Sequence, residues 1–354
     1  MSISIDFNSK NYYPALRSRP AEILGYKNLK DSVKDKIIPT FTLGAWPRHQ
    51  DLKEGLNNTL AAVGGRPFIL DLSKEPLHQT DDLQKLLDPN DGFSLWKEFT
   101  ANIENVIPVV QITSSSKMAQ VIRQARAFES RGLGKLAFRL PFNPQIISFA
   151  SAALASLDSA DNALVIVDAG YIRDSMASSL IASVNTINEI RDGVEEATIA
   201  VISSSFPSSV TSFLTGGPST GVIGILERDL HEQIGADAAI YGDYGSIHAK
   251  VYVTGGGRYT PRIDYPSPED WCFERRPDTT SEGYIDAAQA LLDKIPSIAK
   301  EDTWGAEMIR KAAAGSIDGM KTPSSWIAAR VNMHIERQVN VYPATFADDF
   351  EDLI

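Results

Sequence analysis

The chain has 354 residues, 43% hydrophobic and 22% charged, an ordinary globular balance that suits one large α/β barrel with an added segment or two medium domains. Acidic residues outnumber basic ones 45 to 34, a formal charge of −11 with no long basic tract against it, which argues against nucleic acid as a partner because phosphate contacts need clustered cations. The one cysteine, Cys272, cannot form an internal disulfide or a thiolate metal site, and between Trp271 and Phe273 it reads as a packed small apolar residue. No apolar run reaches membrane-spanning length, and the start, MSISIDFNSKNYYP, lacks the pattern of an export signal. A cytoplasmic protein away from membranes is expected.

Eight short apolar runs, most closing on a polar or charged residue, mark the first two-thirds: Tyr12–Leu16, Ile37–Leu43, Phe68–Leu72, Ile107–Ile112, Leu136–Arg139, Leu164–Asp168, Ile199–Ser203 and Ala238–Asp243. Helical stretches separate most of them. Pro20 opens one over Ala21–Leu29, a second starts at Asp51 after a loop holding Trp46, Arg48 and His49, and Gly64-Gly65 ends it. A long connection, Ser73 to Phe93, follows the third run and reads as a lid or interaction surface. Ser114-Ser115-Ser116 then introduces a helix with Met118, Val121, Ile122, Ala125 and Phe128 on one face, and later helices cover Gln145–Leu157, Ser175–Arg191 and Ile225–Ile234, with Thr215–Gly221 as loop. Short apolar runs alternating with helices predict parallel strands joined by crossovers. Eight such units predict an α/β fold, a (β/α)8 TIM-like barrel with a C-terminal helical extension.

Past Tyr244 the pattern changes. Lys250–Thr254 alternates like a strand or hairpin, Gly255-Gly256-Gly257 breaks it, and three helical stretches follow at Ser281–Ile295, Thr303–Ala314 and Pro323–Val339, with an acidic tail over Phe346–Ile354. The expected organisation is a barrel over 1–245, an irregular or hairpin segment over 246–280, and a helical extension with the tail over 281–354.

In a barrel the working residues sit where the strands end. Those positions hold Arg17 and Arg19, Thr42, Asp71, Gln111, Arg139, Asp168, Ser203 and Asp243. Alternation decides which point inward, and a slip of one residue reverses the answer. Asp71, Asp168 and Asp243 are the candidate acids, bases or magnesium ligands, with Arg17, Arg19, Gln111, Arg139, Ser203, His248 and Lys250 as ligand contacts. The competing account is an Arg–Asp network that merely closes the mouth. Glycine-rich Thr215–Gly221 and Gly242–Ser246 follow the last two strands, where barrels present N–H groups to phosphate; no P-loop is present, and the two accounts are a phosphate site or ordinary turn chemistry. No H-x-x-x-H or G-x-S-x-G pattern occurs, which removes the zincin and serine-hydrolase readings. Trp326, Arg330 and His334 recur at four-residue steps, so they share one helix face, either packed or turned to a partner. No cofactor is specified by any motif.

Several of these segments carry a resemblance. Tyr12-Tyr13-Pro14-Ala15-Leu16-Arg17 with the helix opened by Ala21-Glu22, Lys36-Ile37-Ile38-Pro39, Arg139-Leu140-Pro141, the Asp168 strand end, Gly242-Asp243-Tyr244 and Trp326…Arg330 together resemble the beta family protein group. The resemblance spans nearly the whole chain. It implies a phage- or prophage-encoded protein of phage-exclusion accessory loci, of toxin-and-suppressor type, and it carries no catalytic motif. The reading that follows is a barrel acting in antiviral defence or toxin control, binding a protein partner encoded in the same locus or a phosphorylated, nucleotide-like ligand at its mouth. The alternatives are a magnesium-assisted phosphodiesterase or related hydrolase using the three aspartates, and an assembly protein working through its C-terminal helices.

Overall fold

The computed structural model describes residues 5–47, 51–251, 259–277 and 279–341. The expected hairpin at Lys250–Thr254 falls largely outside them, as do the acidic tail, Arg48 and His49. In chain order the strands are β1 (Tyr12–Arg17), β2 (Thr40–Leu43), β3 (Phe68–Leu72), β4 (Val106–Pro108), β5 (Leu136–Pro141), β6 (Ala163–Tyr171), β7 (Thr198–Ser204), β8 (Thr220–Gly224), β9 (Ile240–Asp243), β10 (Arg262–Pro266) and β11 (Asp270–Arg275). Each of the eight apolar runs overlaps a strand.

Those eight form one parallel sheet in the order β4-β3-β2-β1-β9-β7-β6-β5. Its two ends meet where Val109 bridges Ala137 and the Val110 N–H donates to the Ala137 carbonyl at 2.8 Å. The result is a nearly closed, barrel-like ring. Both faces are apolar because both are covered. Ala15, Ile69, Val109, Ala137, Ile166 and Ile202 fill the interior, while Leu16, Leu70, Phe138, Val165 and Val201 pack outward with the helices.

The outer layer begins with the helix Pro20–Lys27 and continues through Lys53–Val63, Ser94–Ala101, Met118–Glu129, Pro144–Ala155, Met176–Gly193 and Glu227–Ile234. Among the described residues no helix follows β9 directly. Its place is taken by the last helix, Pro323–Val341, about eighty residues further on. That helix lies against Pro20–Lys27 so closely that a Cβ on Gly25 would sit 2.8 Å from the Ala328 carbonyl oxygen. On its other side Arg228 donates to Gln338, and Val331, Ile335 and Val339 join the main core.

The intervening chain builds a second layer. β10 and β11 form an antiparallel hairpin, and β11 also pairs with β8. β8 overlaps the end of the expected Thr215–Gly221 loop. The helices Gly283–Lys294 and Trp304–Ala313 pack on this hairpin through Ile263, Tyr265, Tyr284, Leu291 and Ile309. Gly221 is needed where β8 passes under Phe273, since a Cβ there would lie 2.3 Å from its ring and 2.2 Å from the Phe213 carbonyl oxygen. Among the described residues no helix is long and apolar enough to cross a membrane.

Candidate functional site

Alternation places the polar ends of the strands. Side chains two apart share a face, and the interior residues Ala15, Ile69, Val109, Ala137 and Ile166 lead, two positions on, to Arg17, Asp71, Gln111, Arg139 and Asp168. Register sets Arg17, Thr42 and Asp71 side by side across β1, β2 and β3. A bulge between Asp168 and Gly170 shifts the register of β6 against β7, and the Gly170 N–H donates to Asp168 Oδ1 at 2.9 Å. Bulges of this kind re-aim a side chain at a barrel rim.

Arg139 reaches across the mouth and gathers these groups. Its Nε donates to Asp168 Oδ2 at 2.9 Å, Nη1 to Thr42 Oγ1 at 2.9 Å and to Asp71 Oδ2 at 3.3 Å, and Nη2 to the Tyr244 hydroxyl at 3.0 Å. Tyr244 in turn donates to Asp168, with its hydroxyl 2.6 and 2.7 Å from the two carboxylate oxygens. Gln111 is fully buried and donates to Asp71 Oδ1 at 3.0 Å, and its own Oε1 has no hydrogen-bond partner among the described residues. Burial alone would lower the Arg139 pKa, but Asp168, Tyr244 and Asp71 outweigh it and hold the guanidinium well above its ordinary value. Burial beside Asp168 likewise pushes the Tyr244 phenol up, so it stays a donor.

Above this network lies a cavity of about 320 Å³ lined by Arg17, Thr42, Asp71, Lys74, Arg139, Asp168 and Tyr244, with Ala249 and the Ser73–Pro76 turn among its walls. Lys74 was not among the residues drawn from the sequence. Lys74 is an exposed residue of the cavity wall, and desolvation by the surrounding protein lowers its pKa against the pull of Asp71 and Asp168. Arg17 lines the cavity while Nη2 donates to the carbonyls of His248 and Ala249 at 2.6 and 2.8 Å. Arg19 turns aside to the Ala45 carbonyl at 2.9 Å. His248 stacks on Tyr171 at 4.3 Å between centroids, burial pulling its pKa down, and Lys250 is exposed.

Two expected mouth residues face the other way. Ile202 and Gly242 mark the inward positions of β7 and β9, so Ser203 and Asp243 point outward, and Ser204 and Tyr244 stand inward in their stead. Asp243 is buried under the last helix, accepting from Tyr12 at 2.6 Å, Tyr241 at 2.9 Å and the Gly245 N–H at 2.7 Å, with His334 Nε2 at 2.8 Å. The three aspartates therefore do not converge, and among the described residues no three His, Cys, Asp or Glu side chains gather as a metal-holding set. Gly245 adopts φ +59°, and its N–H is committed to Asp243, which is turn chemistry.

The Trp326, Arg330 and His334 face turns inward. Trp326 donates to the Met320 carbonyl at 2.8 Å and stacks on Tyr284. Arg330 donates to Asp264 and lies 3.7 Å from the Phe206 ring centroid, burial bringing its pKa down to about 10. Cys272 is half-buried in β11, and burial next to Asp270 pushes its thiol up to about 11.

The family model of Beta protein matches residues 12–340. The chain belongs to the Beta protein family. Protein beta of Enterobacteria phage P4 is 44% identical over 356 residues, an alignment covering 99% of this chain and 100% of the phage protein. The match to the Beta protein model includes every strand and both polar clusters, the Arg139 mouth and the Asp243–His334 pair.

Proposed function

We propose that this Beta protein family member is a (β/α)8 TIM-like barrel that binds a small phosphorylated, nucleotide-like ligand at its mouth and works in the cytoplasm with a protein encoded in the same locus. In this reading it belongs to a phage or prophage accessory system of antiviral defence or toxin control, and ligand binding at the mouth sets its action on the partner. The observation that carries it is the Arg139 guanidinium fixed between Asp71 and Asp168 under an open cavity lined by both charges. Preorganised polar groups converging on one concavity are what small-molecule sites require. The relative from a phage supports the setting. The three-aspartate magnesium reading has less support, because Asp243 is held by Tyr12, Tyr241 and His334 away from the other two.

The test is thermal denaturation of the full chain against a panel of nucleotides and sugar phosphates, alongside phage plating on cells carrying the intact locus. A stabilising ligand, and plating that changes when the mouth is filled by Ala249→Trp, support the reading. No stabilisation by any member, together with unchanged plating, overturns it.

A further inference from the structure

The cations of the mouth differ in what they already hold. Arg139 makes hydrogen bonds to Asp168, Thr42, Asp71 and Tyr244, which engage all three of its guanidinium nitrogens. Arg17 Nη2 is bound by two carbonyls and Nη1 faces Glu22 at 3.9 Å. Lys74 differs from both: among the described residues its Nζ has no hydrogen-bond or ion-pair partner, although it stands in the field of Asp71, Arg139 and Asp168.

The acceptors differ as well. Asp168 Oδ1 takes the Gly170 N–H and Tyr244, and Oδ2 takes Arg139 and Tyr244. Asp71 Oδ1 takes the Leu72 N–H and Gln111. Asp71 Oδ2 has one long contact, Arg139 Nη1 at 3.3 Å, and so keeps a lone pair for a ligand.

We propose that Lys74 anchors the oxyanion of the mouth's ligand while Asp71 Oδ2 accepts a hydrogen bond from a hydroxyl or amine of the same molecule. The occupant is then a small phosphate- or carboxylate-bearing molecule with a neighbouring donor. This deepens the mouth-binding reading and rests on it. An ammonium on a flexible stem suits the task, since it follows the anion as a point charge, whereas Arg139 cannot turn to a ligand without breaking four bonds. An arriving anion adds negative charge beside the Lys74 ammonium, which raises its pKa and slows its reaction as a neutral amine.

The experiment combines competitive labelling of the full chain by dilute acetic anhydride, read by peptide mass spectrometry, with calorimetric titration. The probes are inorganic phosphate, acetate and ribose 5-phosphate, which separate phosphate from carboxylate and add neighbouring hydroxyls. We expect one oxyanion class to protect Lys74 selectively among the lysines. Ribose 5-phosphate should bind about tenfold more weakly to Lys74→Met, the loss of one charge-assisted hydrogen bond, with Lys74→Arg retaining most of the affinity. Equal binding by wild type and Lys74→Met overturns the Lys74 assignment and leaves the mouth reading standing. Failure of all three probes to bind or protect the wild type overturns the oxyanion subsite itself, and a co-purifying ligand lost on Ala249→Trp would still preserve the mouth.

Discussion

His334 Nε2 lies 2.8 Å from Asp243 Oδ2, with each side chain 1% exposed, and this contact ties the last helix to β9, the strand between β1 and β7. Tyr12, Tyr241 and the Gly245 N–H supply the remaining hydrogen bonds to the same carboxylate. Removing the carboxylate with Asp243→Ala leaves two phenols and an imidazole buried without their acceptor. Such losses cost about 3–5 kcal/mol, and urea denaturation of the variant should show a correspondingly lower midpoint.

Asp243 also gives the fold an acid limit. Burial alone would raise its pKa, but His334 and the hydrogen bonds from Tyr12 and Gly245 more than offset this and hold it below the ordinary value of 3.8. A depressed folded pKa means that its stabilisation is present above the unfolded value and is lost as pH falls through the folded one. Stability measured by urea titration should therefore drop on acidification below about pH 4, and Asp243→Asn, less stable throughout, should show a shallower drop in that window.

His78 acts at higher pH. Its ring sits 3.1 Å from Ser73 Oγ, and burial, helped by Arg19 and Arg17, lowers its pKa from 6.5 to about 4. Below pH 6.5 the unfolded chain binds this proton and the folded chain does not, so stability declines as pH falls from 6.5 towards 4. In His78→Gln the decline across that interval should be smaller, as read by thermal midpoints at a series of pH values.

Arg139 should be more sensitive than its partly open position suggests. Its side chain is 15% exposed, that of Asp168 is 15% and that of Asp71 is 6%. Arg139→Met leaves two carboxylates at the mouth without their shared cation, a loss of about 3–5 kcal/mol in urea denaturation where a buried pair is broken. Arg139→Lys should recover little, because an ammonium cannot reach Asp168, Thr42, Asp71 and Tyr244 together.

Deleting the last helix tests its place in the outer layer. Val331, Ile335 and Val339 belong to the same core as Tyr12, Leu16 and Tyr241, so a chain ending at Lys321 should lack a cooperative thermal transition and be cut rapidly by protease. A truncated chain that melts cooperatively would show that the barrel closes without this helix.

The strands were legible because a segment buried on both faces must be apolar throughout, and eight such runs have few arrangements. Their inward faces were less so. A continuous apolar run has no polar stripe to fix its phase, so Ser203 and Asp243 were read one residue away from Ser204 and Tyr244, which the ring turns inward. β8 escaped because Thr220–Gly224 holds two glycines and becomes a strand only by pairing with β11, some fifty residues on. Lys74 carries no local pattern. Its one signal is its place just past the strand that ends in Asp71-Leu72, at the start of the long Ser73–Phe93 connection. The helix beside β9 was recognised as a helix, but nothing in its sequence tells that it returns to the barrel across the inserted layer.

The central claim, that the mouth holds a small polar ligand, is met most directly by native mass spectrometry of the full chain purified from cells carrying its locus. The wild type should retain a small oxyanion-bearing molecule at one copy per chain, and Ala249→Trp, at a cavity-lining residue that makes none of the Arg139 hydrogen bonds, should lose it. A bare wild-type chain, or an adduct kept undiminished by Ala249→Trp, would contradict the account.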